Sequence, residues 1–496
     1  MRSREVYALV AASLSSFPVV HTLKTTPDNT TQPRAKVVGL STQRRTVPNP
    51  VQRDRLRRRA DTLTTPLTND ITLYHVNATI GTPPQSFQLQ IDTGSSDLWV
   101  NANSSAVCWQ DSSIDTCEHT GAYIANSSST YQYVGSWFNI SYVDGSGAQG
   151  DYVTDVLALG GTELDHFQFG VGYETTSNQG ILGLGYPINE VQVGRAGMDQ
   201  YPNLPAALLS AGHISRNAYS LWLNDMDAQR GSILFGGIDT ERFTGPLQTL
   251  PVEPKGNVYS EFLITLTSVK LGQNVITNDK TPVPALLDSG SSLTYLPDDI
   301  AKSIFTQVGA EYYSDSGTAY VDCELGNDDN ATTLDFTFTS PTISIPLKEL
   351  VIHQDITFAS VVQTSASSCL LGIASAGDGS TVLGDTFLRS AYVVYDIQNN
   401  QISLAQTKFN ATKSNVQEIP TGTSIPGATV VANPVRTTSS ADPGDGGSGS
   451  GRGGGSGSGN NSGHDHNGGA GVTTISAFSY SLALLCAGAA IFNALY

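Results

Sequence analysis

The chain has 496 residues, which allows two or three domains, and only 14% of its residues are charged. Residues 1–59 carry 12 Lys/Arg against 3 Asp/Glu, a net charge of +9, whereas residues 60–496 carry 14 against 41, a net charge of −27. So acidic a body argues against nucleic-acid binding, and no nucleic-acid partner is expected.

The basic N-terminal segment has the order of a leader. Residues 1–20 combine Arg2 and Arg4 with a short apolar run, which predicts a signal peptide and is too short for a membrane span. Residues 21–59 are polar and end in the basic run Arg55–Arg59. Taken alone, that run could be a solvated or nucleic-acid-binding patch. Its position between a signal peptide and an acidic body favours a propeptide that is cleaved there, so that the mature chain begins near Ala60.

Residues 70–410 are predicted to be all-β. Short β-branched and aromatic runs alternate with Gly, Asn, Asp and Ser turns. Helices are expected only at Leu204–Ala211 and Asp298–Val308. A boundary near Pro251–Gly256 divides the body into residues 60–250 and 251–412. Clear strand candidates are Phe87–Ile91, Trp137–Tyr142, Tyr219–Leu223, Ser232–Phe235, Phe262–Leu266, Leu334–Phe338 and Tyr392–Tyr395.

One motif occurs twice. In Leu89–Val100 and again in Leu286–Leu296, an apolar run ends in Asp-[Thr/Ser]-Gly-Ser-Ser. The run predicts a buried strand and the residues behind it a tight turn, so each copy places a carboxylate, Asp92 or Asp288, at a strand end. A single copy would be an ordinary turn.

A second pair of motifs repeats in the same order. Gly180–Gly185 and Thr381–Asp385 each contain two apolar residues followed by Gly, with Gly183 91 residues after the first Asp and Gly384 96 residues after the second. This shared order indicates a duplicated unit. If the two copies pack as partners, their carboxylates meet.

Two adjoining carboxyls can hydrolyse a peptide bond without a cofactor. One activates a water molecule as a base. The other, protonated, acts as an acid towards the carbonyl oxygen and later towards the leaving amine. Like charges in contact do not both ionise easily, so the pair shares one proton under acidic conditions and titrates as a unit. Such a pair would act as an acid–base catalyst at acidic pH and would need no metal or cofactor.

From about Tyr74 to Phe409 the sequence resembles the pepsin-like aspartic peptidases, most closely the surface-anchored fungal yapsins and candidapepsins. The resemblance is carried by Ile80–Gln85, both Asp motifs, both apolar-Gly motifs and Leu383–Asp396. It implies a bilobal all-β fold with the active-site cleft between two duplicated β lobes. It also implies protein or peptide substrates. The basic leader fits a propeptide that sits on the acidic cleft and inhibits the zymogen until it is removed, and a monomer is expected.

The resemblance assigns roles around the two carboxylates. Asn139–Gly147 predicts a hairpin with an Asp-Gly turn, and it matches the family's flap, with Tyr142 as the flap tyrosine. Trp99 is expected to hydrogen-bond Tyr142, the alternative being a core tryptophan. Gly94 and Gly290 are expected to let the backbone approach the carboxylates closely. Thr93 and Ser289 are expected to brace the two loops, and Ser95 and Ser291 to donate hydrogen bonds to the carboxylates. Ordinary turn capping is the alternative for these four hydroxyl groups.

The flap tip departs from the family pattern, because Val143 stands where Gly is usual. Asp144 follows. Yapsin-like enzymes prefer basic residues before the cleaved bond, and Asp144 is a candidate for pairing with such a residue. The alternative is a turn residue that faces water, with broad candidapepsin-like specificity; both interpretations are open.

Cysteines and sequons indicate the secretory route. Cys486 lies in the apolar tail, and the other four cysteines allow three pairings; the resemblance implies Cys108–Cys117 and Cys323–Cys369. Seven candidate glycosylation sites lie outside the leader: Asn77, Asn103, Asn126, Asn139, Asn330, Asn410 and Asn460.

The C-terminal region predicts a tethered protein. Residues 413–470 are expected to form a stalk, which is richest in Gly and Ser at 441–471, and residues 471–496 a glycosylphosphatidylinositol (GPI) attachment propeptide, with Asn467 as one candidate attachment residue. A membrane helix is the alternative for the apolar end, but no Lys or Arg follows it. The expected location is the outer face of the plasma membrane, through the lipid anchor, or the cell wall.

The sequence therefore predicts a secreted, surface-anchored aspartic endopeptidase. One alternative is a non-catalytic binding protein of the same fold, which would be expected to lack an Asp or the flap tyrosine. Another is a structural wall glycoprotein, which leaves the duplicated Asp motifs unexplained.

Overall fold

The computed structural model describes residues 36–47, 71–109, 116–142, 146–228, 230–277, 281–314, 317–327, 331–353 and 368–437. Strands make up 47% of these residues and helices only 13%, so the all-β prediction is confirmed. In chain order the strands are β1 Val38–Val47, β2 Ile71–Ile80, β3 Gln85–Asp92, β4 Leu98–Asn101, β5 Gln132–Ser141, β6 Gly147–Leu159, β7 Thr162–Thr175, β8 Gly180–Gly183, β9 Ala218–Trp222, β10 Arg230–Phe235, β11 Gly237–Asp239, β12 Phe243–Pro251, β13 Leu263–Leu266, β14 Ser268–Leu271, β15 Asn274–Val275, β16 Val283–Leu287, β17 Thr294–Leu296, β18 Glu311–Tyr313, β19 Thr318–Asp322, β20 Thr333–Thr337, β21 Thr342–Pro346, β22 Val351–Ile352, β23 Ser368–Leu371, β24 Ile373–Ser375, β25 Thr381–Leu383, β26 Ala391–Asp396, β27 Gln401–Thr407, β28 Val416–Glu418 and β29 Ala428–Val430.

Within the described residues, the α-helices are α1 Val191–Ala196, α2 Leu204–Ser210, α3 Asp298–Val308 and α4 Asp385–Leu388, and five short 3-10 helices join the strands. The two predicted helices are present as α2 and α3. α1 and α4 were not predicted, because they are too short to show a helical period. Among the described residues, no helix has the length and hydrophobicity needed to cross a membrane.

A 14-stranded sheet connects the two halves of the chain, in the order β29-β12-β27-β26-β9-β10-β1-β2-β3-β8-β4-β7-β6-β5. The fourth and fifth strands in this order, β26 of the second half and β9 of the first, pair antiparallel. The second half builds three further sheets, of five, four and four strands. One large apolar core runs beneath these sheets. The lobes therefore share a continuous sheet instead of separating completely at residue 251.

The predicted duplication is visible in strand pairing. In the first half β3 runs parallel to β8, β8 antiparallel to β4, and β4 parallel to β7. In the second half β16, β25, β17 and β24 repeat this arrangement. A Cβ on Gly183 would lie 2.5 Å from the carbonyl carbon of Ser96, and one on Gly384 would lie 2.3 Å from the carbonyl oxygen of Leu293. Each apolar-Gly motif therefore needs glycine, because the chain that follows the Asp turn crosses it directly.

The predicted propeptide contributes a strand to the body. β1 lies between β10 and β2 and pairs antiparallel with both. Val38, Leu40 and Thr42 of this strand are buried. Residues 38–47 are thus an internal strand of the large sheet rather than a separate leader segment.

The predicted stalk begins too early. β28 pairs with β11 and β29 pairs with β12, and Ile419, Ile425 and Val431 are buried. Arg436 also bonds the carboxylate of the buried Glu253. Residues 413–437 therefore belong to the folded body, and the boundary at 413 was wrong. Their few apolar residues are too widely spaced to show this in sequence. Residues 438–496 lie outside the described part, so the rest of the stalk and the attachment signal remain predictions.

Candidate active site

The two motif aspartates lie on matching turns at the ends of β3 and β16. The N–H of Gly94 donates to Oδ1 of Asp92 at 2.9 Å, and the hydroxyl of Ser95 donates to Oδ2 at 2.6 Å. In the second copy, the N–H of Gly290 donates to Oδ1 of Asp288 at 2.8 Å, and the hydroxyl of Ser291 donates to Oδ2 at 2.7 Å. Both carboxyls are buried. Each oxygen is thus fixed by a donor from its own turn.

Hydrogen bonds brace the two turns against each other. The hydroxyl of Thr93 donates to the carbonyl of Leu287 at 2.9 Å and accepts the N–H of Ser289 at 2.9 Å. In return, the hydroxyl of Ser289 donates to the carbonyl of Ile91 at 3.2 Å and accepts the N–H of Thr93 at 3.2 Å. All these groups are buried, so the brace is shielded from competing water.

The brace brings the first turn onto the second carboxylate. A Cβ built on Gly94 would lie 2.6 Å from Oδ1 of Asp288. Any side chain at residue 94 would therefore collide with the partner carboxylate. This contact joins two residues that lie 194 positions apart in sequence, and it brings the two motifs into one site.

A hairpin of β5 and β6 lies beside the first turn. Ser141 pairs with Gly147, and the N–H of Tyr142 donates to the carbonyl of Ser146 at 2.8 Å. The indole N–H of Trp99 donates to the hydroxyl of Tyr142 at 2.7 Å, which is the predicted contact. Trp99 is also buried in a local apolar cluster, so both interpretations of this tryptophan hold. Residues 143–145, and with them Val143 and Asp144, lie outside the described residues.

Two buried carboxyls that the sequence analysis did not single out lie below this hairpin. Asp97 accepts hydrogen bonds from the hydroxyls of Tyr152 at 2.6 Å and Tyr201 at 3.0 Å, and from the N–H of Val191 at 2.9 Å. Glu190, immediately before α1, is 1% exposed and accepts the N–H of Tyr201 at 2.8 Å. Burial raises the pKa of Asp97, and it raises the pKa of Glu190 to about 9.

α1 also holds the flap strand. Nη1 of Arg195, in the last turn of α1, donates to the carbonyl of Asn139 at 2.6 Å, to its side-chain oxygen at 3.0 Å and to the hydroxyl of Ser141 at 3.1 Å. At its other end, α1 is attached to Asp97 through Val191. This short helix therefore links the segment after the first Asp turn to the base of the flap. Nothing in the local sequence predicts the link, because its partners come from distant segments.

A buried ion pair lies behind the second turn. Nε of Arg389, which follows α4, donates to Oε2 of Glu349 at 2.8 Å, and both side chains are buried. The guanidinium also bonds the backbone carbonyl of Glu349. These bonds attach the segment behind the second Asp loop to the neighbouring 3-10 helix.

Both predicted disulfides, Cys108–Cys117 and Cys323–Cys369, are formed. Nδ1 of His353 lies 3.3 Å from Sγ of Cys369. His353, Cys323 and Cys369 together form a group with the spacing of metal ligands. The two sulfurs are bonded to each other and are therefore not thiolate ligands. Of the predicted glycosylation sites, Asn77, Asn126, Asn139 and Asn410 are exposed and Asn103 is half-buried, whereas Asn330, Asn460 and the anchor candidate Asn467 lie outside the described residues.

Comparisons with known proteins identify the family of this chain. The family model of eukaryotic aspartyl protease matches residues 73–407. The chain belongs to the eukaryotic aspartyl protease family. It is an aspartic-type endopeptidase: it is 52% identical over 407 residues to the probable aspartic-type endopeptidase opsB of Aspergillus oryzae, covering 80% of this chain and 82% of that one.

More distant relatives extend the comparison. The chain is 32% identical over 444 residues to aspartic proteinase 3 of Saccharomyces cerevisiae, covering 73% of this chain and 75% of that one. It is 36% identical over 357 residues to secreted aspartic protease 8 of Candida albicans, covering 71% of this chain and 80% of that one. The crystal structure of aspartic proteinase from Irpex lacteus matches with a TM-score of 0.55 and 22% identity, covering 75% of this chain and 100% of that one, which supports the fold.

Proposed function

We propose that the protein cleaves peptide bonds of proteins at acidic pH with a water molecule activated by Asp92 and Asp288. Singly protonated, the pair provides a base for the water and an acid for the carbonyl oxygen of the substrate. After the attack, the acid–base roles reverse and the leaving amine receives a proton. The aspartic protease pair is the standard example of carboxyls that share one proton because both cannot ionise in contact.

The observation that carries this proposal is the braced contact of the two turns. The hydrogen bonds of Ser95 and Ser291 hold one oxygen of each carboxylate, and Gly94 lies against Asp288. An arrangement fixed in this way before substrate binds needs no reorganisation when charge develops during the reaction.

The flap provides the second requirement, exclusion of water around the substrate. Its hairpin ends next to Tyr142, whose hydroxyl is fixed by Trp99. We propose that the hairpin closes over a bound peptide and that Tyr142 orients it.

The catalytic proposal is tested with Asp92→Asn and Asp288→Asn. Each change keeps the side-chain shape but removes a shared-proton partner, so each variant is expected to be secreted, to have a near-wild-type melting temperature and to show no pepstatin-sensitive cleavage at low pH. Asp378→Asn, at an exposed position, is the matched control and should keep full activity. Substantial activity in either active-site variant would refute the dyad.

We also propose that the protein is made as a secreted zymogen. The net charge of +9 on residues 1–59 opposes −27 on the rest, and β1 of this segment lies inside the body's sheet. If β1 leaves the sheet after processing at Arg55–Arg59, the edges of β10 and β2 are uncovered and the sheet rearranges locally. Replacing the five residues Arg55–Arg59 with an uncharged linker should leave an unprocessed chain with little activity, and an active unprocessed chain would contradict the inhibitory role.

Surface anchoring is the third proposal. Residues 438–496 follow the folded body, and the last 22 of them are apolar and uncharged. Truncation after Gly463 removes this end together with the candidate attachment residue Asn467. The truncated enzyme is expected in the culture medium, fully active; retention on the cell would show that the tail is not the anchor.

The acidic body supports a preference for Lys or Arg before the cleaved bond, since a carboxylate near the pocket would attract such a side chain. Asp144 is the candidate carboxylate. The measurement is kcat/KM on matched peptides with Lys, Arg, Leu or Phe at that position, for the wild type and Asp144→Asn. A preference for Leu or Phe, or a basic preference that Asp144→Asn leaves unchanged, would remove Asp144 from the explanation.

A further inference from the structure

A pocket of about 380 Å³ opens on the β2–β3 hairpin, away from the strand end that carries Asp92. Its lining includes Asn77 and Thr79 of β2 and Phe87 and Gln88 of β3. Glu118 and His119, which directly follow Cys117, also line it. This volume falls within the range of about 300–1,000 Å³ that holds small organic molecules. The pocket is separate from the catalytic turns, and the proposed reaction does not use it.

The pocket contains an attachment point for a sugar. Asn77-Ala-Thr79 is an N-glycosylation sequon, and both of its polar residues line the pocket. In a strand, residues two apart lie on the same face, and Asn77 lies opposite Gln88 in the ladder. Asn77 is exposed, so its side-chain nitrogen is open to modification.

The lining has the chemistry that an N-acetylhexosamine requires. Ala158, which lies opposite Thr79 in the ladder and therefore on the same face as Asn77, provides an apolar contact for an acetamide methyl group. Gln88, Glu118 and His119 provide donors and acceptors for hydroxyl and acetamide groups. A pocket for an apolar ligand would not present this many polar groups on one side.

The pocket wall is fixed before any ligand arrives. Cys117, next to Glu118, is joined to Cys108, and the N–H of Gln88 donates to the carbonyl of Thr120 at 3.0 Å. Gly121 has φ of +89°, and a Cβ there would lie 2.4 Å from the carbonyl oxygen of Ser86, so only glycine lets the loop pack this closely on β3. A preformed wall costs little further ordering on binding.

We propose that this pocket holds the first N-acetylglucosamine of a glycan on Asn77, and that the sugar stabilises the N-terminal half of the body. The glycan is added by the secretory pathway, so the inference rests on the proposed secretion. In the transfer, Nδ2 of Asn77 loses a proton and forms a bond to C1 of the sugar. The bond between C1 and the lipid-linked diphosphate breaks, and the diphosphate leaves. In the folded protein the attached ring lies along the loop at residues 118–121.

The test compares the full chain secreted from a yeast host with its Asn77→Gln variant. Glycopeptide mass spectrometry should find sugar on Asn77, and the variant should melt about 1–2 °C lower, as expected for the loss of one modest interaction in a folded body of this size. Endoglycosidase H, which leaves one N-acetylglucosamine on the asparagine, should leave the wild-type melting temperature nearly unchanged. Asn126→Gln, which removes an exposed sequon outside the pocket lining, is the matched control and should melt like the wild type.

A double-mutant comparison separates sugar contact from ordinary packing. Gln88→Ala should lower the melting temperature of the glycosylated chain but not that of Asn77→Gln, because its partner is then absent. Equal effects in both backgrounds would overturn the proposal, as would a trimmed protein that melts as low as Asn77→Gln. If Asn126 carries a sugar and Asn77 does not, the pocket assignment alone is overturned. If neither asparagine carries a sugar, the secretory route is overturned as well.

Discussion

Glu190 is expected to set part of the alkaline limit of stability. The side chain is 1% exposed and lies beside Asp97, Tyr152 and Tyr201, and none of these three neighbours is a cation that would stabilise its ionised form. Burial raises its pKa from the ordinary 4.5 to about 9. The folded protein therefore binds this proton more tightly than the unfolded chain does.

The direction in which the free energy of unfolding changes with pH follows from that difference in proton affinity. Below pH 4.5 both states are protonated and the contribution of Glu190 is fully present. As pH rises from 4.5 towards 9, the unfolded chain releases the proton first, and the free energy of unfolding falls by about 1.4 kcal/mol per pH unit. At pH 7 the accumulated loss is about 3 kcal/mol, a large part of the stability of an ordinary domain.

Glu190→Gln removes the titration but keeps an acceptor for the N–H of Tyr201. Denaturant unfolding of inactive Asp288→Asn protein, which avoids self-digestion, would be measured from pH 4 to pH 8 with and without Glu190→Gln. The two proteins should be similarly stable at pH 4, and the variant should be more stable by about 3 kcal/mol at pH 7. Glu163→Gln, an exposed carboxylate on β7, is the control and should leave the pH dependence unchanged. Parallel curves for the wild-type residue and Glu190→Gln would refute the reasoning.

Two further predictions concern contacts that hold the site. Arg195→Ala removes the hydrogen bonds from α1 to the flap strand. kcat/KM should fall about five-fold, mainly through a higher KM, since one charged hydrogen-bond group contributes about 1 kcal/mol. Arg195→Lys should recover part of the loss, and an unchanged KM in Arg195→Ala would contradict a role in the flap. Arg389→Met leaves Glu349 buried without its cation and should lower the free energy of unfolding by about 3–5 kcal/mol in urea titrations. Adding Glu349→Gln should restore much of that loss, and failure to do so would show that packing, not charge, explains it.

The sequence by itself determined the elements that depend on short patterns. The all-β class, α3 at Asp298–Val308 and the duplicated Asp motifs follow from local periodicity, caps and turn residues, which a contiguous segment carries within itself. The hydroxyl and glycine positions within each motif also became interpretable, since the same residues recur at the same spacing. The family resemblance added the pairing of the cysteines and the contact of Trp99 with Tyr142.

Only the tertiary structure decided which distant segments meet. Residues 413–437 resemble a linker in composition, yet they complete two sheets, because strand edges at β11 and β12 accept them. The propeptide strand β1 is internal for the same reason. Asp97 and Glu190 are ordinary acidic residues in sequence, and the neighbours that bury them come from β6 and from the segments around α1. Burial and long-range hydrogen bonds are properties of the packed chain, so no local pattern encodes the pKa of Glu190 or the hold of Arg195 on the flap.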